Sequence, residues 1–153
     1  MADAPLLLVT SSGGHLTNLL ALRGAWEGWR EVWVVRDALD SRTRLGGEEV
    51  VWIERDADRN HVGNLGGALV KAWTALGRIR PSRLITVGAG MAVPWVLAAK
   101  ARGIPTLYIE LFGRVERPTV SARICRFFGT RVFVQHRALL PLLPGSSCEG
   151  TLW

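Results

Sequence analysis

Two glycine-containing turns carry the residues best suited to binding an anion. In the first, Ser11, Ser12, Gly13, Gly14 and His15 follow a short apolar run and precede leucines at helical spacing. A turn between a strand and a helix leaves backbone amides free, and the helix dipole favours a negative charge there. This turn is therefore predicted to contact a phosphate or diphosphate, although glycine also serves such turns for conformational reasons alone.

A second turn of the same kind occurs later in the chain. Gly88, Ala89 and Gly90 follow an apolar run and precede an apolar helical segment. Two such turns at one edge of a sheet can hold a sugar diphosphate between them. We therefore expect both turns to belong to one substrate site.

Three side chains near these turns are suited to acid–base work or to phosphate binding. His15 can act as a general base or hydrogen-bond a diphosphate, and its alternative role is capping or packing. Glu110 directly follows a predicted strand, where a carboxylate can bind sugar hydroxyls or act as a base. Arg114 is the better phosphate ligand, and an ion pair with a nearby arginine is the alternative for Glu110.

Positioning these residues requires alternating strands and helices. Apolar runs predict strands at residues 5–10, 31–35, 50–53, 84–87, 106–109 and 131–134. Helical spacing and caps predict helices after His15, at residues 37–44, from a cap at Asn60 to Ile79, at 92–101, at 119–128 and from His136.

This order of elements predicts a doubly wound α/β fold with a mainly parallel, Rossmann-like sheet covered on both faces. A chain of 153 residues fits a single domain, residues 1–153. Ligands of such folds bind at the carboxyl ends of the strands. Both glycine turns and Glu110 are expected at that edge.

Composition narrows the classes of partner. The 19 basic residues, all arginine except Lys71 and Lys100, exceed the 13 acidic ones and give a net charge of +6, which suits an anionic partner. No nucleic-acid-binding motif accompanies the charge, so no nucleic-acid partner is expected.

No apolar run approaches the roughly 20 residues of a membrane span, and no signal peptide is visible, so a cytoplasmic location is expected. Cys125 and Cys148 form no metal or disulfide pattern, and neither a metal nor a cofactor is expected.

The predicted helix at residues 119–128 combines apolar and basic side chains. Arg123 and Arg126 alternate with apolar residues that include Phe127 and Phe128. Such a helix can rest on an anionic membrane surface. Packing of the apolar side chains into the core is the favoured alternative.

Several motifs form one spaced set along the chain: residues 11–16, Arg59 and Asn60, residues 87–94, 108–110, Arg114 and Val115, and residues 133–135. This set resembles the PssD/CpsF polysaccharide-biosynthesis family. That family is the bacterial counterpart of the membrane-anchoring subunit of the dolichol-pathway UDP-N-acetylglucosamine transferase. The resemblance extends to residues 150–152.

The resemblance implies the amino-terminal, acceptor-binding half of a GT-B glycosyltransferase, similar to MurG-type transferases. A separate chain, the carboxyl-terminal half, would hold most of the UDP-sugar donor. The acceptor would be a polyprenyl-diphosphate-linked sugar at the cytoplasmic membrane surface, reached by peripheral attachment. The implied acceptor-diphosphate contacts are residues 11–14, Asn60, residues 88–90 and Arg114, and the base candidates for an inverting transfer are His15 and Glu110.

Two departures from the family pattern and three rival functions stay open. Leu111 stands where relatives commonly have serine, and His136 stands where many have tryptophan. Asp37 follows the second predicted strand, where an acid would bind ribose in a nucleotide-dependent oxidoreductase, but neither glycine turn has the G-x-G-x-x-G spacing. The other rivals are a nucleic-acid binder and a subunit that only recruits and activates its partner.

Overall fold

The computed structural model describes residues 4–54, 65–88 and 90–151. Its strands match the predicted ones to within one residue at each end. They are β1 (Leu6–Thr10), β2 (Glu31–Arg36), β3 (Val50–Ile53), β4 (Arg83–Val87), β5 (Thr106–Ile109) and β6 (Arg131–Phe133).

Helices connect the strands as the periodicity predicted. They are α1 (Gly14–Ala21), α2 (Leu39–Arg44), α3 (Leu65–Ile79), α4 (Ala92–Ala101) and α5 (Val120–Phe127), with 3-10 helices at Arg23–Trp26 and Arg137–Leu142. Pro94 lies in the first turn of α4, where its missing N–H costs no helical hydrogen bond. The predicted helix start at Asn60 lies outside the described residues.

The strands form one six-stranded parallel sheet in the order β3-β2-β1-β4-β5-β6. This topology confirms the predicted doubly wound, Rossmann-like α/β fold. The connection direction reverses between β1 and β4, which are neighbours in the sheet. A crevice opens at such a switch point, outside the carboxyl ends of the two strands.

The sheet is apolar on both faces because helices cover both. Every residue of β1 is buried, and alternate side chains point to opposite faces. Leu7 and Val9 join the core beneath α3, α4 and α5. Leu6 and Leu8 join a second core beneath α1 and Trp26. This double burial explains why β1 reads as an uninterrupted apolar run.

Two helices expose large apolar side chains. On α5 the small Ala122 and Cys125 are buried, whereas Phe127 is 83% exposed. On α3 the buried residues are Ala72 and Leu76, and Trp73 is 46% exposed. The favoured prediction that the apolar face of residues 119–128 packs into the core was therefore wrong for its largest side chains. None of the helices in the described ranges is long and apolar enough to cross a membrane.

The β6 edge of the sheet is covered by a later segment of the chain. Ser147 forms a parallel bridge with Phe133. Its amide donates to the Val132 carbonyl, and its carbonyl accepts from the Val134 amide. Hydrogen-bonding groups at this end of the sheet are thus partly satisfied within the chain.

Candidate functional site

The first glycine turn lies at the switch point, between β1 and α1. Ser11 is buried, Ser12 is half-buried, and Gly13 and Gly14 are exposed. Gly13 is the N-cap of α1 with φ 70°, a conformation that glycine adopts without the steric cost of a side chain. Because this N-cap is glycine, no N-cap side chain accepts a hydrogen bond from the first amides of α1. The exposed backbone of this turn thus lies at the carboxyl end of β1, the edge at which the sequence placed it.

One amide of this turn is already bound to an anion. The Gly13 N–H donates to a carboxylate oxygen of Asp40 on α2 at 2.8 Å. Arg44, also on α2, donates to the Thr17 hydroxyl at 2.8 Å and holds α2 against α1. The Gly13 amide is thus not free, contrary to the expectation for the turn. The contact nevertheless shows that the turn accepts a negatively charged oxygen.

The second glycine turn meets the first through His15. Gly88 has φ +61°, and a Cβ added there would lie 3.1 Å from Cδ2 and 3.3 Å from Nε2 of His15. The same Cβ would lie 3.6 Å from the Tyr108 hydroxyl. A side chain here would be strained and would crowd the ring, so glycine favours this approach of the imidazole to the backbone of the second turn. The structure brings the two turns together, as expected for a single site.

His15 is a neutral base in a positive environment. The side chain is half-buried, and this burial lowers its pKa below the ordinary value of 6.5. The charges of Arg114 and then Arg36 lower the pKa of His15 further, because they disfavour a nearby imidazolium. His15 is therefore unprotonated at neutral pH and can accept a proton.

Arg36 is a site residue that sequence reasoning missed. It is the last residue of β2, so it lies at the carboxyl edge of the sheet. The sequence feature that could have identified Arg36 is a charged residue at the end of an apolar strand that pairs with β1. Together, Arg36 and Arg114 bring two positive charges to the neighbourhood of the histidine.

Glu110 does not face the crevice. The side chain is fully buried, and its two oxygens accept hydrogen bonds from the backbone N–H groups of Thr119 at 2.8 Å and Leu111 at 3.1 Å. The Thr119 hydroxyl also donates to the carboxylate and accepts from the Ala122 amide as the N-cap of α5. Since the single hydroxyl proton of Thr119 goes to Glu110, the Tyr108 hydroxyl donates to Thr119 at 3.0 Å. This geometry favours a role in positioning α5 over direct contact with a substrate, and no predicted arginine ion pair engages Glu110 among the described contacts.

The loop that carries Arg114 is tied to the end of β6. The Gln135 side chain donates to the Glu110 carbonyl at 3.0 Å. A ring nitrogen of His136 lies 2.6 Å from the Phe112 carbonyl oxygen, and the two rings pack with centroids 5.0 Å apart. His136 thus holds the loop. Arg114 itself is exposed.

The other predicted site residues divide into three groups. Gly90 is exposed at the start of the segment leading into α4. Asn60 and Ala89 lie outside the described residues. Asp37, the acid of the oxidoreductase alternative, is held in a two-pronged ion pair by Arg42 at 2.5 and 2.7 Å. That pairing leaves the carboxylate engaged within the chain.

The arrangement is suited to bind an anion and to accept a proton beside it. It combines two backbone turns, a neutral imidazole and two guanidinium groups at one crevice. Within the described ranges, no group of three or more histidine, cysteine, aspartate or glutamate side chains is placed to hold a metal ion. The two guanidinium groups and the neutral imidazole can supply electrostatic binding and general base catalysis.

The fold and the crevice at its switch point place the chain in the Rossmann-like α/β class found in GT-B glycosyltransferases and related epimerases. Among solved structures it is similar to MurG of Acinetobacter baumannii, with a TM-score of 0.75, 16% identity, and coverage of 94% of this chain and 45% of that one. It is also similar to UDP-N-acetylglucosamine 2-epimerase from Rickettsia bellii, with a TM-score of 0.70, 13% identity, and coverage of 98% and 45%.

A third similar structure is MnaA of S. aureus, determined with UDP, with a TM-score of 0.69, 12% identity, and coverage of 97% and 44%. The chain thus spans less than half the length of each of these proteins. The sequence matches no protein-family model and no curated protein. At these identities the likeness establishes the fold.

Proposed function

We propose that this chain is the acceptor-binding part of a UDP-sugar glycosyltransferase of the PssD/CpsF type. Its acceptor is a saccharide linked to a polyprenyl diphosphate, which the enzyme extends in polysaccharide biosynthesis. The observation that carries the proposal is the meeting of the two glycine turns through His15 and Gly88, with the charges of Arg36 and Arg114 acting on His15. The motif resemblance and the similarity to the MurG fold support the same assignment.

The acceptor diphosphate binds at the crevice between the turns. Its charge is balanced by Arg114 and Arg36, and backbone amides of both turns supply hydrogen bonds. The carboxylate of Asp40 at the Gly13 amide occupies one position that a phosphate oxygen can take. Diphosphate binding therefore displaces this carboxylate or seats beside it.

His15 serves as the general base of an inverting transfer. Its neutral imidazole accepts the proton of the acceptor hydroxyl, whose oxygen then bonds to the anomeric carbon of the donor sugar. The bond between that carbon and the UDP oxygen breaks, and UDP leaves with the electron pair. The neighbouring acceptor diphosphate offsets the positive charge that forms on the imidazole. Glu110, the other base candidate, is assigned the positioning of α5 and of the loop bearing Arg114.

The donor is held mainly by a second polypeptide. The resemblance implies a GT-B carboxyl-terminal half on a separate chain, which docks over the carboxyl edge of the sheet and presents the UDP-sugar. The transfer then takes place between the two chains, where proximity and orientation of acceptor and donor lower the barrier. The crevice supplies the acceptor side of that interface.

Attachment to the inner face of the cell membrane is proposed through α5 and its neighbourhood. Val120, Phe127 and Phe128 are exposed by 71%, 83% and 51%. Arg123 and Arg126 lie on the same helix and add positive charge. Exposed aromatic and basic side chains together favour peripheral binding to anionic lipid.

The proposal is tested by reconstitution. The chain is mixed with a GT-B carboxyl-terminal-half protein, a UDP-sugar and a polyprenyl-diphosphate-linked acceptor in vesicles, and radiolabelled product is measured. His15→Ala is expected to lower kcat by about 100-fold or more, the usual contribution of a general base. Arg114→Ala is expected to raise KM for the acceptor, whereas Arg117→Ala, in the same exposed loop, is the matched control and leaves KM unchanged.

Each alternative has its own outcome in this assay. Unchanged kcat in His15→Ala, with activity still dependent on complex formation, would show a recruiting subunit that does not perform the chemistry. Transfer to a soluble acceptor by this chain alone, without lipid or partner, would refute the split arrangement. Salt-dependent retention of DNA by the pure chain would revive the nucleic-acid alternative.

A further inference from the structure

A cavity of about 570 Å³ opens beside the anion-binding crevice and is unused by the proposed chemistry. It lies between the end of β3, helix α3 and the first turn of α4. Its walls are mainly apolar and include Val51, Ile53, Ala75, Met91 and Pro94. Cavities of roughly 300–1,000 Å³ are the usual size for small-molecule sites.

The cavity shares residues with the anion site. Arg36, whose charge lowers the pKa of His15, also lines the cavity. Gly90 of the second glycine turn lines it as well. The same residues therefore border a charged crevice on one side and an apolar cavity on the other. A ligand that fills both has an anionic head and an apolar chain.

The charges around the cavity agree with such a ligand. Among the described lining residues, Arg36, Lys71 and Arg78 contribute three positive charges, against one carboxylate, that of Glu54. An apolar chain with an anionic end places its charge near the guanidinium of Arg36 and its methylene groups on the apolar wall. A nucleotide base would instead bury polar edges against a largely apolar lining, which is unfavourable.

We propose that this cavity binds the proximal isoprenoid units of the lipid acceptor, next to its diphosphate. The identity of the head group rests on the proposed function, whereas the apolar subsite rests on the cavity itself. The acceptor chain turns from the glycine crevice past Arg36 and Gly90 into the space between α3 and α4. Specificity for a lipid-linked acceptor then arises within this chain and does not depend on the membrane surface alone.

The test measures binding of soluble ligands of graded chain length to the full chain. Trp52 and Trp95 line the cavity, so quenching or a spectral shift of tryptophan fluorescence reports its occupation, and calorimetry gives Kd. The probes are inorganic diphosphate, geranyl diphosphate, farnesyl diphosphate, farnesol and UDP. Affinity is expected to rise by more than tenfold from inorganic diphosphate to farnesyl diphosphate, since each buried methylene contributes about fourfold.

A cavity-filling variant supplies the control for location. Ala75→Phe places a ring in the cavity and is expected to reduce the affinity for farnesyl diphosphate to that for inorganic diphosphate. Ala21→Phe, at an exposed position of α1 on the other face of the sheet, is the matched control and keeps the chain-length dependence. If Ala75→Phe fails to fold, Ala68→Leu narrows the same cavity with a smaller side chain.

The outcomes separate this inference from the proposed function. Equal affinity for inorganic and farnesyl diphosphate overturns the apolar subsite while leaving the diphosphate site standing. Binding of farnesol without any binding of inorganic diphosphate retains the subsite and overturns the head-group assignment. Competition between UDP and the prenyl ligands that is abolished by Ala75→Phe would identify a nucleotide cavity and overturn the inference.

Discussion

Substituting Gly88 by alanine tests whether the two glycine turns work as one unit. The φ of +61° is strained for any residue with a Cβ, which costs about 1–2 kcal/mol. The new methyl also lies 3.1 Å from the His15 ring, so the ring must shift by a few tenths of an ångström. Gly103 has φ +71°, and a Cβ added there would meet nothing within 4 Å. Gly103→Ala therefore introduces the backbone strain but no close side-chain contact.

The difference between the two variants isolates the contact with His15. Forcing the ring off its preferred rotamer costs about 0.5–1.5 kcal/mol, so Gly88→Ala is expected to lower the free energy of unfolding by about that much more than Gly103→Ala. In a chain of this size the extra destabilisation corresponds to roughly 2–4 °C in Tm per kcal/mol. Urea unfolding measures the free energy, and calorimetry with inorganic diphosphate measures binding.

Binding is the more discriminating readout. Gly88→Ala is expected to weaken diphosphate binding and to move the NMR titration of His15, while Gly103→Ala, in the turn after α4, leaves both unchanged. If both variants bind diphosphate like the unmodified chain, or if both lose equal stability and binding, the coupling of the two turns through His15 is refuted.

Three further perturbations have defined outcomes. Glu110→Gln leaves one of the two N–H groups that bind the carboxylate without an acceptor. It is expected to lower the free energy of unfolding, measured in urea, by about 1–3 kcal/mol, and unchanged stability would contradict the positioning role of Glu110. Asp40→Asn removes a negative charge from the Gly13 amide and is expected to tighten diphosphate binding about fivefold by calorimetry, whereas weaker binding would mean that the carboxylate helps to form the site. Because burial, Arg114 and Arg36 lower the pKa of folded His15, the unfolded chain takes up a proton near pH 6.5 before the folded chain does. The free energy of unfolding is therefore expected to fall as the pH drops below about 6.5, and the part of this loss that is due to His15 is absent in His15→Gln. Identical pH profiles of the free energy of unfolding in the two chains would contradict this role of His15.

The sheet could be predicted from the sequence because its strands are buried on both faces. A strand covered by helices on both sides is nearly continuously apolar, as at residues 6–9 of β1. The glycine turns were equally visible, since they separate an apolar strand from a helical pattern. Their meeting at one crevice follows from the β1–β4 pairing, which the order of elements implies for a doubly wound sheet.

Side-chain environments were less predictable. The position of Glu110 after a strand suggests the crevice, but its orientation depends on the backbone amide of Thr119, nine residues later. Likewise, Asp40 reaches the Gly13 amide from a different helix. These contacts join residues far apart in sequence, and no local spacing encodes them.

The buried side of the helix at Val120–Phe127 was predicted wrongly for a different reason. Two sides of this helix could pack on the core, one with small apolar side chains and one with large ones. Close approach of α5 to the sheet favours the small Ala122 and Cys125, which leaves Phe127 outside. Hydrophobicity alone would instead predict that the large side chains are buried.

The Ser147 bridge along β6 has a consequence for how another protein can associate with this one. A strand from a second molecule would need the backbone groups that Ser147 already engages at Val132 and Val134. Sheet extension at this margin is thereby obstructed, which also discourages the edge-to-edge stacking that leads to aggregates. A companion chain that approaches from this side must recognise side-chain shape and charge, so such an association is tunable by surface substitutions that leave the sheet intact.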